Sequence, residues 1–325
     1  MRLYAGICGS FPRPPELRKA INEFRGKRIG RGEFEERYKA SFRMVVRLQE
    51  NNGLNLLTSG LLLWDDLLRP FAENLDGIRL GRLLRFFDNN FYYRCPVIVD
   101  RIRWTRPVTL DEVRSLSEAT SKAVKAVVPG PYTFLKLSED RFYGSKERLA
   151  DDIVQALKQE IESLSDLADF IQIDEPSLVD PELGEDDRRW GVELVNALLK
   201  AIGVSRDRLL IATYFNLDSR SYSILLEIKA GLHLDLSSTK NADHILMEQG
   251  YGGDLLSLGV VDSRSIFPED PGDIAGRVER LLGKVSAKAL AISTSSWLDY
   301  IPFEDAVEKL KILGKVLRRL EAGSR

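Results

Sequence analysis

The sequence predicts an α/β fold, a single (β/α)8 TIM barrel spanning residues 1–325, from three observations. Short apolar runs rich in β-branched residues alternate with longer amphipathic runs, a pattern typical of parallel strands joined by crossover helices. Eight strand-like runs occur, and eight parallel strands close into a barrel without open edges. Hydrophobic residues make up 44% of the chain, enough for one large core.

The strand predictions follow the apolar runs in order. They cover Arg2–Cys8, Leu54–Thr58, Ala126–Val128, Phe170–Asp174, Leu209–Thr213, Leu232–Asp235, Leu256–Val261 and Leu290–Thr294. Between the first two strands, Phe34, Tyr38 and Phe42 repeat at helical spacing, and Asn-Asn-Gly at 51–53 indicates where that helix ends. Ser145 is placed to cap the N-terminus of a later long helix.

Residues 69–107 break this alternation, because they form a long stretch rich in Arg, Phe, Tyr and Asn. The stretch is longer than an ordinary crossover. Long insertions in compact domains are usually functional. We therefore predict an insertion after the second strand that acts as a lid or another functional segment.

The composition indicates which partners, which cellular compartment and which metal sites to expect. The formal net charge is −2, with 47 basic and 49 acidic residues, which gives no sign of a nucleic-acid or membrane partner. No apolar run reaches the ~18 residues of a membrane span, and no secretory signal is visible, so we expect a cytoplasmic protein. Cys8 and Cys95 are expected to be buried thiols, and His233 and His244 are not spaced as a metal-binding pair.

Polar residues that follow the strands are the candidate binding residues, because sites in such barrels form at the carboxyl ends of the strands. Asp174 and Glu175 are adjacent, so they point to opposite sides. Either one faces the barrel mouth while the other pairs with a neighbouring loop, or one of them caps the next helix. Asp235 ends an apolar run and needs a partner or a ligand. Arg264 suits an anionic ligand or a salt bridge to a loop carboxylate. Two further candidates in these segments are Ser10 and Asp66.

Six segments, each at a predicted strand end, also carry a family resemblance. They are GSFPRPPELRKA, GPYTFLKLS, IQIDEPSLV, ATYF, LHLDL and GVVDSR, in this order. In them the sequence resembles cobalamin-independent methionine synthases, which join two related barrels and which some archaea split into two polypeptides. RFFDNNFYY, ATYFN, GLHLDL and GVVDSR resemble the N-terminal, zinc-free barrel. GSFPRPPELR and the segment Arg106–Val113 are closer to the C-terminal, catalytic barrel.

The resemblance implies that the catalytic barrel binds zinc through a histidine, two cysteines and a glutamate, and that zinc activates homocysteine as a thiolate. The matching positions here are Ala212, Tyr214, Ser237 and Ser296. We therefore expect no cofactor on this chain and zinc on a partner barrel. The family's amine-binding glutamate falls on Leu61 and its acid histidine on Arg264, whereas Asp174 matches an aspartate that contacts homocysteine. Asp174 and Arg264 are thus the candidate catalytic residues.

The family's N-terminal barrel helps to bind the polyglutamate tail of the methyl-folate donor through a basic-Glu-Leu-Lys run. The matching and neighbouring residues are Glu16, Leu17, Arg18, Lys19 and, upstream, Arg13. A second family lysine falls on Asp100, beside the candidate Arg101. The alternative interpretation is that these charges form a solvated first helical turn.

The leading functional hypothesis is a zinc-free barrel of a split methionine synthase. It would act with a separate zinc-bearing barrel and an anionic methyl-pterin or folate-type donor. One alternative is an independent, metal-free barrel enzyme that acts on a small anionic substrate. Another is a non-catalytic protein that binds an amino acid or has a regulatory role.

Overall fold

The computed structural model describes residues 1–323. Its strands are β1 (Arg2–Gly6), β2 (Leu56–Leu57), β3 (Asp76–Arg85), β4 (Tyr92–Arg103), β5 (Ala123–Pro129), β6 (Glu139–Asp140), β7 (Phe170–Asp174), β8 (Leu209–Thr213), β9 (Gly231–Asp235), β10 (Tyr251–Val261) and β11 (Val285–Thr294). Its helices are α1 (Pro15–Arg25), α2 (Arg31–Asn51), α3 (Arg69–Asn74), α4 (Leu110–Ala119), α5 (Pro131–Lys136), α6 (Lys146–Leu164), α7 (Glu185–Ala201), α8 (Ser219–Leu225), α9 (Ala242–Gln249), α10 (Pro271–Leu282) and α11 (Phe303–Gly323).

Eight strands form one parallel sheet in the order β1-β11-β10-β9-β8-β7-β5-β2, which curls into a nearly closed barrel wrapped by helices. The predicted (β/α)8 barrel is confirmed, and each predicted strand corresponds to one strand of this sheet. The bounds differ most for β10 and β11, which begin five residues earlier than predicted, at Tyr251 and Val285. There β10 and β11 pair with each other, and β1 joins β11 only from Ala289 onward.

A side chain completes the closure between β1 and β2. The Asn55 amide accepts a hydrogen bond from the Ala5 N–H at 2.8 Å and donates one to the Leu3 carbonyl at 3.1 Å. The strands approach closely here, because a Cβ on Gly6 would lie 2.1 Å from the Leu56 carbonyl oxygen. Glycine is therefore required at this seam.

The segment 69–107 contains α3 and a long hairpin of β3 and β4, which pair antiparallel; short β6 pairs with β4. The sequence analysis predicted an insertion here but no strands. The tip of the hairpin lies over the barrel mouth, where Phe86 and Phe87 contact Phe215, and Phe91 contacts Tyr300, with ring centroids 5.3–6.0 Å apart.

Two of these contacting aromatics have strained backbones. Phe87 has φ 52° and Phe215 has φ 85°, in the left-handed region that a bulky residue adopts rarely. Their rings lie 5.6 Å apart. Such strain persists only where the surrounding packing fixes it, and it concentrates at functional sites. The contact between hairpin tip and barrel mouth is therefore a closely specified feature of the fold.

The helix predictions agree with the structure. Helix α2 ends at Asn51, as the Asn-Asn-Gly signal indicates, and the Ser145 side chain caps α6 by accepting from the Arg148 N–H. In residues 1–323, no helix combines the length and the apolar character that crossing a membrane requires. Cys8 and Cys95 are buried, free thiols.

Candidate functional site at the barrel mouth

Asp174 lies at the centre of the barrel mouth, at the carboxyl end of β7, and is fully buried. Its carboxylate accepts from Trp297 Nε1 at 2.8 Å, from the Tyr214 hydroxyl at 3.0 Å and from Gln172 Nε2 at 2.7 Å. Burial raises the pKa of Asp174 to about 6, against the opposing effect of these hydrogen bonds. A ligand reaches this carboxylate only if Trp297 or Tyr214 moves.

Beneath Asp174, a buried lysine holds the interior of the barrel together. Lys125 Nζ donates to the carbonyls of Ile7 and Cys8, at 2.9 and 3.0 Å, and to Gln172 Oε1 at 2.6 Å. Burial lowers the pKa of Lys125, whereas the nearby Asp174 raises it. Because all three ammonium protons have acceptors, Lys125 stabilises the barrel and is not free to act as a nucleophile.

Glu175 points away from the mouth and caps α5, which follows the neighbouring strand β5, rather than the next helix along the chain. Its carboxylate accepts from the N–H groups of Tyr132 and Thr133, in the first turn of α5, and from the Thr133 hydroxyl, at 2.7–2.8 Å. Burial raises the pKa of Glu175 to about 7. A Cβ on Gly130 would lie 2.1 Å from this carboxyl group, so glycine is required beside it.

Asp235 and Arg264 lie on the opposite side of the mouth from β1. Asp235 accepts from the N–H groups of Phe215, Ser237 and Ser238, and from the Ser238 hydroxyl, so it finds its partners within the chain. Burial raises the pKa of Asp235. Arg264 donates to the Ser238 hydroxyl at 2.6 Å, and its guanidinium lies 5.5 Å from the centre of the Phe215 ring.

Arg264 forms no salt bridge within residues 1–323 and remains exposed. It lines a cavity of about 690 Å³ between the hairpin tip and the ends of β7–β9. Other lining residues are Asn89, Tyr214, Phe215, Asn216 and Ser238. Asp88, Asp180 and Glu182 also line this cavity, so an anionic group is favoured only on the side where Arg264 lies.

Of the five predicted residues after β1, two are buried or bound by contacts within the chain, and three are exposed. Ser10 is buried, and Arg13 donates to the carbonyls of Leu62 and Trp64 and to Asp65, all within 2.8 Å. The exposed group consists of Glu16, Arg18 and Lys19, in the first two turns of α1, and none of the three forms a salt bridge within residues 1–323. Arg18 and Lys19 are therefore available to an anionic ligand.

Asp66 and Arg101 lie apart from this group. The buried Asp66 accepts from the N–H groups of Leu68, Arg69 and Arg94, so it fixes the start of α3 against the hairpin. Arg101, on β4, pairs with Asp152 at 3.0 Å. We leave both residues out of the site that we propose below.

The four positions that match the family's zinc ligands do not fit a zinc ion. Ala212 has no donor atom, and the Tyr214 hydroxyl is bound to Asp174. Ser237 donates to the Gly259 carbonyl, and the Ser296 and Ser263 hydroxyls are hydrogen-bonded at 2.6 Å. No group of His, Cys, Asp or Glu side chains in residues 1–323 is arranged to hold a metal. Zinc needs thiolate, imidazole or carboxylate ligands, and these positions supply none.

Comparison with known proteins agrees with this architecture. The model of the N-terminal domain of cobalamin-independent synthase matches residues 79–286, which include most of the hairpin, the mouth residues from Asp174 to Arg264 and five of the eight barrel strands. The chain belongs to this family. The family resemblance seen in the sequence is thereby confirmed, including its N-terminal type.

Archaeal relatives of this family member have a similar length. A methionine synthase of Sulfolobus acidocaldarius is 26% identical over 314 residues, covering 94% of this chain and 88% of the relative. A methionine synthase of Thermococcus kodakarensis is 27% identical over 317 residues, covering 95% and 90%.

Two solved structures share the fold. A B12-independent methionine synthase from Shewanella sp. W3-18-1, in complex with selenomethionine, superposes with a TM-score of 0.82 at 17% identity, covering 100% of this chain and 99% of that chain. A putative vitamin-B12 independent methionine synthase from Listeria monocytogenes gives 0.79 at 18% identity, covering 98% of each.

Several mouth residues escaped the sequence analysis. Trp297 and Tyr300 follow the last predicted strand, but their sequence does not show that they reach Asp174 and the hairpin. Lys125 could have been predicted from the sequence, because a lysine within the apolar run AVKAVV must find buried hydrogen-bond acceptors. Asp299 carries a buried carboxylate beside Ser10 and was not singled out.

Proposed function

We propose that this chain is the zinc-free barrel of a two-protein methionine synthase. In this assembly a separate barrel holds the zinc and homocysteine, and this chain binds the anionic methyl-folate or methyl-pterin donor. One observation about the barrel mouth carries the proposal. Tyr214 and Trp297 are hydrogen-bonded to Asp174, and none of the four positions matched to the family's zinc ligands has a side chain that binds zinc. The relatives named methionine synthase support the reaction class.

The chain's own contribution is to bind and orient an anion. Arg264 offers an exposed guanidinium at one side of the mouth, and Arg18 and Lys19 offer two further cations beyond β1. Arginine is suited to carboxylates because its planar group donates two parallel hydrogen bonds. When the donor is held at both ends, its methyl group is positioned for transfer, which lowers the entropic part of the barrier.

The test combines the purified chain with a zinc-bearing family member from the same organism. We expect a complex in sedimentation velocity and a higher rate of methyl transfer to homocysteine than with the zinc barrel alone. Arg264→Ala should reduce that stimulation about tenfold, or ~1.4 kcal/mol, whereas Arg220→Ala, at an exposed arginine on α8, should not. The proposal fails if no complex forms and the rate is unchanged.

A second candidate is an independent, metal-free enzyme for a small anionic substrate, favoured by the cavity of about 690 Å³ that Arg264 lines. The two candidates differ in what the isolated chain does. Turnover of a small organic acid by the chain alone, lost in Arg264→Ala, would favour the second. Stoichiometric zinc in the purified chain would contradict both.

A further inference from the structure

A cavity of about 300 Å³ lies outside the barrel mouth, between α5, the start of α6 and the start of α7. Within residues 1–323 it shares no lining residue with the Arg264 cavity, so the function proposed above does not use it. The buried side chains of Leu135 and Leu149 and the rings of Tyr132 and Trp190 form its apolar part. Its volume is at the lower end for ligand pockets, which suits a ligand with a single ring.

Tyr132 brings a hydroxyl without a partner to this cavity. The residue is only 2% exposed, and its hydroxyl forms no hydrogen bond within residues 1–323. Its position is fixed from two sides, because its N–H donates to Glu175 Oε1 at 2.8 Å and a Cβ on Gly191 would lie 2.9 Å from its ring. A buried polar group without a partner is costly, and a ligand that pairs with it recovers that cost.

The hydroxyl is a donor, and a second donor lies beside it. Burial, and after it the nearby Asp187, raise the pKa of Tyr132, so its hydroxyl stays protonated. The indole N–H of Trp190 also has no acceptor within the described part of the chain. The two rings meet edge to face with their centroids 6.0 Å apart. The aromatic wall of the cavity therefore also offers hydrogen bonds to an anionic group.

The charged side chains at the rim are of both signs. Lys136, Lys146 and Asp187 line the cavity, are exposed and form no ion pair within residues 1–323. Asp140 lines it too, but its carboxylate already accepts from three backbone N–H groups of its own loop. A ligand with an anionic and a cationic group satisfies the free charges, whereas a simple anion leaves Asp187 beside it without a partner.

We propose that this cavity binds a free aromatic amino acid. The ring packs against Tyr132 and Trp190, whose edges favour contact with a further aromatic ring. The ammonium group pairs with Asp187, and the carboxylate accepts from Tyr132 and is neutralised by the two lysines. The site is independent of the function proposed above, because no residue of the barrel mouth takes part in it. Asp140 belongs to β6, which pairs with β4, so the site adjoins the base of the hairpin.

Calorimetric titration of the full chain with L-phenylalanine tests the proposal. We expect a dissociation constant below about 1 mM. Three matched probes each lack one recognised group: L-alanine lacks the ring, phenylpropanoate lacks the ammonium group and phenethylamine lacks the carboxylate. Each of them should bind about tenfold more weakly than L-phenylalanine, or more weakly still.

Variants of the lining residues assign the contacts. Tyr132→Phe should weaken the binding of L-phenylalanine about tenfold, because the hydroxyl is lost and the ring is kept. Asp187→Asn should weaken the binding of L-phenylalanine to a similar extent but should not weaken that of phenylpropanoate. Asp186→Asn, at an exposed neighbour in the first turn of α7 that does not line the cavity, is the matched control and should behave like the wild type.

Thermal unfolding midpoints of the variants separate lost binding from lost folding, and hydrogen exchange locates the ligand. Bound L-phenylalanine should slow exchange in α5 and at the start of α7. The inference is wrong if the wild type does not bind L-phenylalanine at concentrations up to about 10 mM, or if Asp187→Asn binds it as tightly. Slower exchange confined to the segments after β8, β9 and β10 would place the ligand in the barrel mouth and would also overturn it.

Discussion

At the scale of single residues, Asp174 is a candidate catalytic carboxylate that the chain itself fully engages. It lies at the end of β7 and accepts from Trp297, Tyr214 and Gln172. In this arrangement Asp174 organises the floor of the barrel mouth.

Replacing Asp174 with Asn should therefore destabilise the fold. The amide NH2 group would face a hydrogen-bond donor from Trp297, Tyr214 or Gln172, and an unmatched buried donor costs about 1–3 kcal/mol. We expect a loss of roughly 2–4 kcal/mol in the free energy of unfolding, measured in urea. Asp151→Asn should stay within about 0.5 kcal/mol of the wild type. Equal stability of Asp174→Asn and the wild type would contradict this role.

His233 gives a prediction about pH. It is buried between the Ser257 hydroxyl and the Ser295 carbonyl, and burial lowers its pKa from 6.5 to about 3. Between these two values the unfolded chain binds a proton and the folded chain does not, so stability falls as the pH falls, by about 1.4 kcal/mol per pH unit.

His233→Gln lacks this titration, so its stability relative to the wild type should rise steadily from pH 6.5 to pH 4.5. The raised pKa of Asp174 acts in the opposite direction in both proteins and cancels in the difference. Urea midpoints at three pH values measure the effect. Parallel pH profiles for the two proteins would show that His233 titrates normally.

At the scale of elements, the hairpin of β3 and β4 is the main addition to the plain eight-stranded barrel. Its tip carries an aromatic cluster in which Phe86 contacts Phe87, Phe91, Tyr93 and Phe215. These contacts attach the hairpin to the barrel mouth.

Phe86→Ala should release the tip. Removing a buried Phe side chain costs about 3–5 kcal/mol. In this variant the loss lowers the free energy needed to open the hairpin locally, rather than that needed to unfold the barrel. Hydrogen exchange in β3 and β4 should accelerate by at least about a hundredfold, while the barrel strands keep their protection. Leu83→Ala, at a residue of the same hairpin that is 54% exposed, should leave exchange nearly unchanged. Uniform acceleration throughout the barrel would contradict a local attachment.

At the scale of the whole molecule, one side chain reinforces the seam at which the barrel closes. Asn55→Ala removes the two side-chain hydrogen bonds that join β1 to the start of β2 and leaves the Ala5 N–H unpaired, whereas the backbone bond from the Asn55 N–H to the Ala5 carbonyl remains. We expect about 2–3 kcal/mol of destabilisation, measured by urea unfolding. Asn22→Ala, at an exposed position in α1, is the control. A small effect of Asn55→Ala would mean that packing alone closes the barrel.

The sequence predicts this barrel well because each buried parallel strand is a short apolar run, which is visible without tertiary information. The hairpin strands were missed because arginine and leucine do not alternate regularly along β3, and because its pairing with β4 shifts register between Leu80 and Leu83, so no clean period-two pattern results. The polar ends of the strands predicted where the site lies. They did not distinguish Asp174 and Asp235, whose partners belong to the chain, from Arg264, which remains exposed.

The position of the hairpin tip over the barrel mouth has a consequence for rates. A ligand that the tip covers can enter or leave only while the tip is lifted. Its association is then limited by the fraction of time that the tip is open, and its dissociation by the same event. Loosening the tip should therefore accelerate both steps together, so that ligand exchange changes far more than affinity does.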